Sequence, residues 1–135
     1  MNVLSSLVAW VSTAIVFAGM DAVWLGVMTP RLYRPALGEH LAPRFDLVAA
    51  ATFYVIYVTG LVVLAVMPAI EKRSLARAIA FGAVLGLAAY GAYDLTNQAT
   101  LRGWDFRLSL ADMIWGAVAS AVAASCAYAA ASRTV

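Results

Sequence analysis

The stretch LARAIAFGAVLGLAAYGAYDLTNQAT, residues 75–100, decides the fold, because it is long and apolar enough to cross a bilayer as one helix. Such a crossing takes about 20 predominantly apolar residues. Its last part, residues 90–100, nevertheless holds an aspartate, an asparagine, a glutamine, two threonines and two tyrosines. Polar groups of this kind are costly in lipid unless they face the protein interior. The stretch therefore predicts a spanning helix that brings polar side chains inside a helical bundle.

The composition of the whole chain indicates that its solvent is lipid. Of its 135 residues, 64% are hydrophobic and 12% are charged, with a mean hydropathy of +0.87. A typical soluble domain has about 25% charged residues. The net charge of +2 and the scattered cations argue against a nucleic-acid partner.

Three further segments have the length and apolarity of a membrane span. The chain is predicted to form a single integral-membrane domain, residues 1–135, with helices at about 4–28, 47–67, 75–100 and 108–131. The predicted fold class is all-α, a bundle of four transmembrane helices with both termini on the same side. The Lys and Arg counts on the two sides are too similar to orient it.

Several residues are predicted to mark the ends of these helices. Pro30 follows the first helix and Pro68 ends the second. Asp46, Ser74 and Ser109 are predicted to cap the second, third and fourth helices.

The longest connection contains RLYRPALGEHLAPRFD, residues 31–46. It is basic and amphipathic, and Tyr33 counts among its apolar members. Two interpretations stay open: a short helix lying in the membrane interface, or a loop broken by prolines.

Two rows of small residues predict close helix packing. Gly82 and Gly86 form a G-x-x-x-G row in the third helix, and Gly116, Ser120 and Ala124 form a similar row in the fourth. In lipid, such rows let two backbones approach closely. The partner row lies either in the same chain or in a second copy, so a homodimer through the Gly82/Gly86 or Gly116/Ser120 faces is one prediction.

The carboxylates of the spans are predicted to lie at similar depth. Asp94 is six residues before Thr100, or about 9 Å from that end of the third helix. Asp21 is seven residues before Met28 at the end of the first helix, and Asp112 is near the start of the fourth. Because the helices alternate in direction, all three fall in the half of the bundle that faces the first and third loops.

This convergence predicts a polar pocket that binds a ligand. Its predicted lining is Asp21, Trp24, Tyr54, Tyr57, Tyr90, Asp94, Asn97, Asp112 and Trp115. Asp94 is expected within one side chain or one water of Asp21, Asn97 or a tyrosine of the second helix. In the alternative interpretation the carboxylates are structural, and they hydrogen-bond between helices or pair with Arg102 or Arg107.

No motif indicates a cofactor or a metal ion. The only histidine is His40 and the only cysteine is Cys126, so neither a histidine nor a cysteine metal site is predicted. A nucleophilic triad, a phosphate-binding loop and a dinucleotide fingerprint are also lacking.

Three stretches carry a family resemblance: MDAVWLGVMTPRLYRPALG, FYVIYVTGLVVLAVMPAI and GAVLGLAAYGAYDLTNQATLRGWDFRLSLADMIWG. They resemble the bacterial membrane-protein family called domain of unknown function 2177, over essentially the whole chain. The resemblance implies a small, multi-pass protein of the bacterial inner membrane with four helices. It supplies no activity and no site residues.

Three functions are compatible with the predicted pocket. The favoured hypothesis is that the pocket binds a membrane lipid or another small amphipathic molecule, whose polar end meets Asp21, Asp94 and Asn97. The first alternative is a proton-coupled small transporter acting as a dimer. The second is a membrane-embedded, lipid-modifying enzyme that uses Asp21 and Asp94 as acid and base.

Overall fold

The computed structural model describes residues 1–135 and contains helices but no strands. Four helical segments are long and apolar enough to cross a membrane: α1 (Val3–His40), α2 (Leu47–Glu71), α3 (Leu75–Thr100) and α4 (Phe106–Ala131). The predicted all-α class with four candidate spans is confirmed. The Asn2 side chain donates a hydrogen bond to the Thr134 carbonyl oxygen at 3.0 Å, so both termini lie at the same end of the bundle.

The outer surface of the bundle is apolar. Along α1, for example, Val3, Leu7, Val11 and Ile15 recur every four residues and are all exposed. A soluble protein rarely exposes a continuous apolar stripe of this length, because water would penalise it. The exposed stripe suits a helix whose outer face contacts lipid.

Two helices continue past the residues at which the sequence predicts their ends. A π turn at Thr29–Tyr33 carries α1 past Pro30, and a π turn at Val62–Val66 precedes Pro68 in α2. Proline lacks an N–H donor and its ring crowds the carbonyl of the preceding turn. The wider hydrogen-bond register of a π turn accommodates both defects, so the prolines distort these helices without ending them.

The first connection is an extension of α1 through most of its length. After the π turn, an α-helical turn covers Arg34–Leu37 and a 3₁₀ turn covers Gly38–His40. Gly38 has a φ of +53°, which favours glycine, and it ends the α-helical part. The segment is therefore helical as far as His40 and irregular over residues 41–46.

Two of the three predicted helix caps are confirmed. The Asp46 side chain accepts a hydrogen bond from the Ala49 backbone N–H at 3.0 Å, and the Ser74 hydroxyl accepts one from Arg77 at 3.3 Å. The prediction for Ser109 is wrong, because α4 begins earlier, at Phe106. Asp105 caps it instead, accepting from the Arg107 N–H at 2.9 Å.

The two rows of small residues pack against each other within the chain. A methyl group on Gly82 would lie 2.7 Å from the Ser120 carbonyl oxygen, and one on Gly86 would lie 2.6 Å from the Ser120 hydroxyl oxygen and overlap the Gly116 carbonyl. Such contacts require glycine at both positions. Both rows therefore take part in the α3–α4 contact within one chain, and the homodimer stays a prediction.

Candidate functional site

The three carboxylates of the spans lie inside the bundle, as the sequence predicts. Asp21 on α1 is 9% exposed, Asp112 on α4 is 7% exposed and Asp94 on α3 is fully buried. No arginine hydrogen-bonds to them, so of the two structural alternatives the structure shows hydrogen bonds between helices and no pairing with Arg102 or Arg107. Tyrosine and tryptophan donors serve Asp21 and Asp112 instead.

Asp21 joins three helices through its two carboxylate oxygens. The Tyr54 hydroxyl on α2 donates to one oxygen, and the Trp115 indole N–H on α4 donates to the other at 3.3 Å. A buried carboxylate needs such donors, because the bilayer interior supplies none. Asp21 is thereby satisfied by the protein itself.

Asp112 accepts its hydrogen bond from a residue in the C-terminal part of α1. The Trp24 indole N–H donates to the Tyr33 hydroxyl at 2.8 Å, and that hydroxyl donates to Asp112. Trp24 also stacks on Trp115, with ring centroids 4.5 Å apart and the planes 7° from parallel. Asp21 is therefore connected to Asp112 in three steps. Asp21 accepts from Trp115, Trp115 stacks on Trp24, and Trp24 is hydrogen-bonded to Asp112 through Tyr33.

Sequence reasoning missed Tyr33 as a member of this network. At about 100° per residue, an unbroken α-helix would place it on the opposite face from Trp24, nine positions earlier. The π turn at Thr29–Tyr33 changes this phase. Because nothing in the local sequence specifies a π turn, only the structure reveals the contact.

Two of the three tyrosines predicted to line the pocket, Tyr57 and Tyr90, pack between the helices beside this network. The Tyr57 hydroxyl shares a hydrogen bond of 2.7 Å with Ser120, and the Tyr57 ring lies 5.0 Å from the Phe17 ring. The Tyr90 ring covers Gly116, where a methyl group would overlap it, and it lies 6.2 Å from Tyr57. Both rings serve as packing groups between helices.

Asp94 differs from the other two carboxylates in having no donor. Neither of its buried oxygens has a hydrogen-bond partner. The group within hydrogen-bonding range is the Asp112 carboxyl, which carries no donor hydrogen when it is ionised. No direct hydrogen bond joins Asp94 to Asp21, Asn97 or a tyrosine of α2, and a link through one side chain or one water stays a prediction.

The packing of α3 on α4 explains this placement. Gly82, Gly86, Tyr90 and Asp94 follow one another at four-residue intervals along one face of α3. The first three contact the row of small residues on α4. Continuing the same register brings Asp94 to Asp112.

Asn97 lies apart from the network. It is half-buried and lies near Tyr93 on the same helix. Nearby, the Ser109 hydroxyl accepts from the Trp104 indole at 2.8 Å and contacts the Gln98 side-chain oxygen at 3.1 Å. These contacts join the last turn of α3 to the first turn of α4.

A groove of about 1060 Å³ lies beside the network, between α1, its extension and α3. None of the nine predicted residues lines it. Its lining residues are Ala22, Leu25, Gly26, Thr29, Pro30, Tyr33, Arg34, Leu37, Gly38, Leu41, Ala42, Pro43, Arg44, Phe45 and Tyr93. Arg34 and Arg44 are exposed cations in an otherwise largely apolar lining, and Tyr33 belongs to both the groove and the network.

The side chains that could bind a metal ion do not form a metal centre. No three histidine, cysteine, aspartate or glutamate side chains converge closely enough to hold a metal ion.

Replacing Tyr33 by phenylalanine is expected to destabilise the bundle by about 1–3 kcal/mol, because Asp112 loses its donor and Trp24 its acceptor. Unfolding of the purified protein by a denaturing detergent, followed by tryptophan fluorescence, measures this. Tyr128→Phe is the matched control, because the Tyr128 side chain packs on the core without making a hydrogen bond through its hydroxyl. An equal loss in both variants would contradict the network.

One family model covers most of the chain. A model of the DUF2177 family, described as a predicted membrane protein, matches residues 6–129. No curated protein and no solved structure matches the chain significantly.

Proposed function

Because the chain belongs to the DUF2177 family of predicted membrane proteins, we propose that it acts within a bilayer, binding a lipidic amphiphile with an acidic headgroup. The groove beside the carboxylate network is the observation that carries this proposal. Its volume of about 1060 Å³ suits a large ligand.

The chemistry of the groove matches the two ends of such a molecule. Leu25, Leu37 and Phe45 offer apolar surface to an acyl chain. Arg34 and Arg44 offer guanidinium groups, which bind phosphate or carboxylate through charge-assisted hydrogen bonds. An acidic headgroup at the arginines, with its chain along the apolar wall, satisfies both parts.

This proposal moves the ligand's polar end away from the position expected from the sequence. Asp21 and Asp112 already accept hydrogen bonds from the protein, and carboxylates repel an acidic headgroup. Tyr33 connects the two regions, because its side chain lines the groove while its hydroxyl bonds to Asp112.

Transport and catalysis have less support. The other half of the bundle has a core cluster of ten buried apolar residues, which offers no polar path to a transported ion. The enzyme hypothesis requires Asp21 and Asp94 as neighbours, but the carboxyl group beside Asp94 is that of Asp112.

Native mass spectrometry of the protein in a mild detergent tests the proposal with phosphatidylglycerol and phosphatidylcholine as probes. We expect preferential retention of the anionic lipid. Replacing Arg34 and Arg44 together by glutamine should reduce that retention at least about tenfold, because each charge-assisted hydrogen bond contributes about 1.5–3 kcal/mol.

The matched control replaces Arg102 and Arg107 by glutamine. Both follow α3 at the same end of the bundle but lie outside the groove lining. An equal loss of lipid in the two double variants, or no preference between the two lipids, would contradict the groove as the binding site.

A further inference from the structure

We propose that Asp94 and Asp112 form a buried proton-binding site, in which a single proton is held between the two carboxyl groups. The site lies between α3 and α4, in the half of the bundle that faces the groove. It is independent of whether the groove binds a lipid.

The first observation is that Asp94 is isolated. It is fully buried, and neither of its carboxylate oxygens has a hydrogen-bond partner. The other two interior carboxylates are satisfied by tyrosine or tryptophan donors. Asp94 is thus the one of the three interior carboxylates that receives no hydrogen bond from the protein.

The second observation is that the group facing Asp94 is another carboxyl. The Asp94 and Asp112 side chains lie within hydrogen-bonding range across the α3–α4 contact. If both were ionised, two negative charges would touch in a medium of low dielectric constant, where their repulsion is largest. A proton on one of them removes one charge and converts the contact into a hydrogen bond.

The surrounding groups offer no positive charge as an alternative. Tyr33 faces Asp112 from the extension of α1, and Tyr90 and Tyr93 lie on α3 with Asp94. Asp21, on α1, is the next acidic group and adds further negative charge. With only neutral and acidic neighbours, the pair depends on a bound proton for its neutralisation.

A metal ion suits this site less well than a proton. Hard cations such as Mg²⁺ or Ca²⁺ take about six or more oxygen ligands. Here only two carboxylates converge, with no third carboxylate or histidine to complete the set. A proton needs only two oxygen atoms facing each other.

The site holds a proton without conducting it across the bundle. Asp112 remains 7% exposed and is linked to the groove through Tyr33, which gives a short route for exchange with the groove side. Towards the termini the core is apolar, formed by residues such as Ala124 and Val66. Exchange therefore occurs from one side only.

Infrared difference spectroscopy of the whole protein tests this directly. In an alkyl maltoside detergent at neutral pH, which adds no carbonyl groups, we expect a carboxylic-acid C=O band that shifts in D₂O. Asp94→Asn should abolish the band, because the amide can donate to Asp112 without an added proton. Asp112→Asn provides a second test if the first variant folds poorly, and the amide bands of the same spectrum report folding.

Asp21→Asn is the matched control and should retain the band, because Asp21 already has two donors. Absence of the band in the native protein would overturn the proposal. So would a band that persists in both Asp94→Asn and Asp112→Asn. A band that appears only after sodium is removed would assign the site to a metal ion and would overturn it as well.

Discussion

Replacing Gly86 by alanine is expected to unfold or separate the α3–α4 pair, with a loss of about 3 kcal/mol or more. The added methyl group would overlap the Gly116 carbonyl and lie 2.6 Å from the Ser120 hydroxyl oxygen. Backbone atoms cannot move aside as a flexible side chain can. The two helices would have to separate, and dispersion contacts along the row would be lost.

Gly60→Ala is the matched control for this variant. Gly60 is also in the interior of a spanning helix, but a methyl group there would meet nothing within 4 Å. Circular dichroism during titration with a denaturing detergent compares the two variants. Equal stability of Gly86→Ala and Gly60→Ala would contradict the close packing of α3 on α4.

Replacing Asp21 by alanine is expected to give the second large effect, a loss of about 2–5 kcal/mol. The Tyr54 hydroxyl and the Trp115 N–H would both lose their acceptor inside the bundle. An unsatisfied buried donor costs about 1–3 kcal/mol, and the cavity left by the side chain adds to this cost.

Asp21→Asn separates the loss of the acceptor from the loss of the charge. The amide keeps one oxygen acceptor and nearly the same volume, so its loss of stability should be clearly smaller than that of alanine. The same unfolding measurement applies to both variants. If alanine is tolerated as well as asparagine, Asp21 does not hold α1, α2 and α4 together.

The spans and the burial of the carboxylates could be predicted from the sequence. Hydropathy identifies segments that are long and apolar enough to span a membrane. An ionisable residue within such a segment is expected to face the interior, because exposing it to lipid is costly. The helix ends could not be predicted equally well. Pro30 and Pro68 are accommodated by π turns, and a pattern of residues does not show whether a turn can widen around a proline.

The partner of Asp94 was also within reach of sequence reasoning. If Gly82 is placed against Ala124 and Gly86 against Ser120, and this antiparallel register is continued in four-residue steps, Asp94 falls opposite Asp112. Depth alone does not show whether Asp21 or Asp112 is the neighbour of Asp94, because Asp21 lies at a similar depth on another helix. The register of the two rows supplies the missing information.

The groove could not be predicted, because it depends on how the extension of α1 lies against the bundle. Arg34 and Arg44 come together there only after α1 has continued to His40 and the chain has turned towards α2. Local sequence patterns do not determine such a path. The nine predicted residues are therefore mostly contacts between helices, and the open space lies beside them.

Disulfide formation between positions 94 and 112 tests the register of α3 and α4 most directly. Cys126, the one native thiol, is first replaced by serine. Asp94→Cys is then combined with either Asp112→Cys or Asp21→Cys, and the protein is oxidised within its membrane. A disulfide requires closely spaced Cβ atoms. The structure predicts an intramolecular bond in the 94/112 protein and little in the 94/21 protein, whereas equal or faster bonding of 94/21, or bonding only between chains, would contradict it.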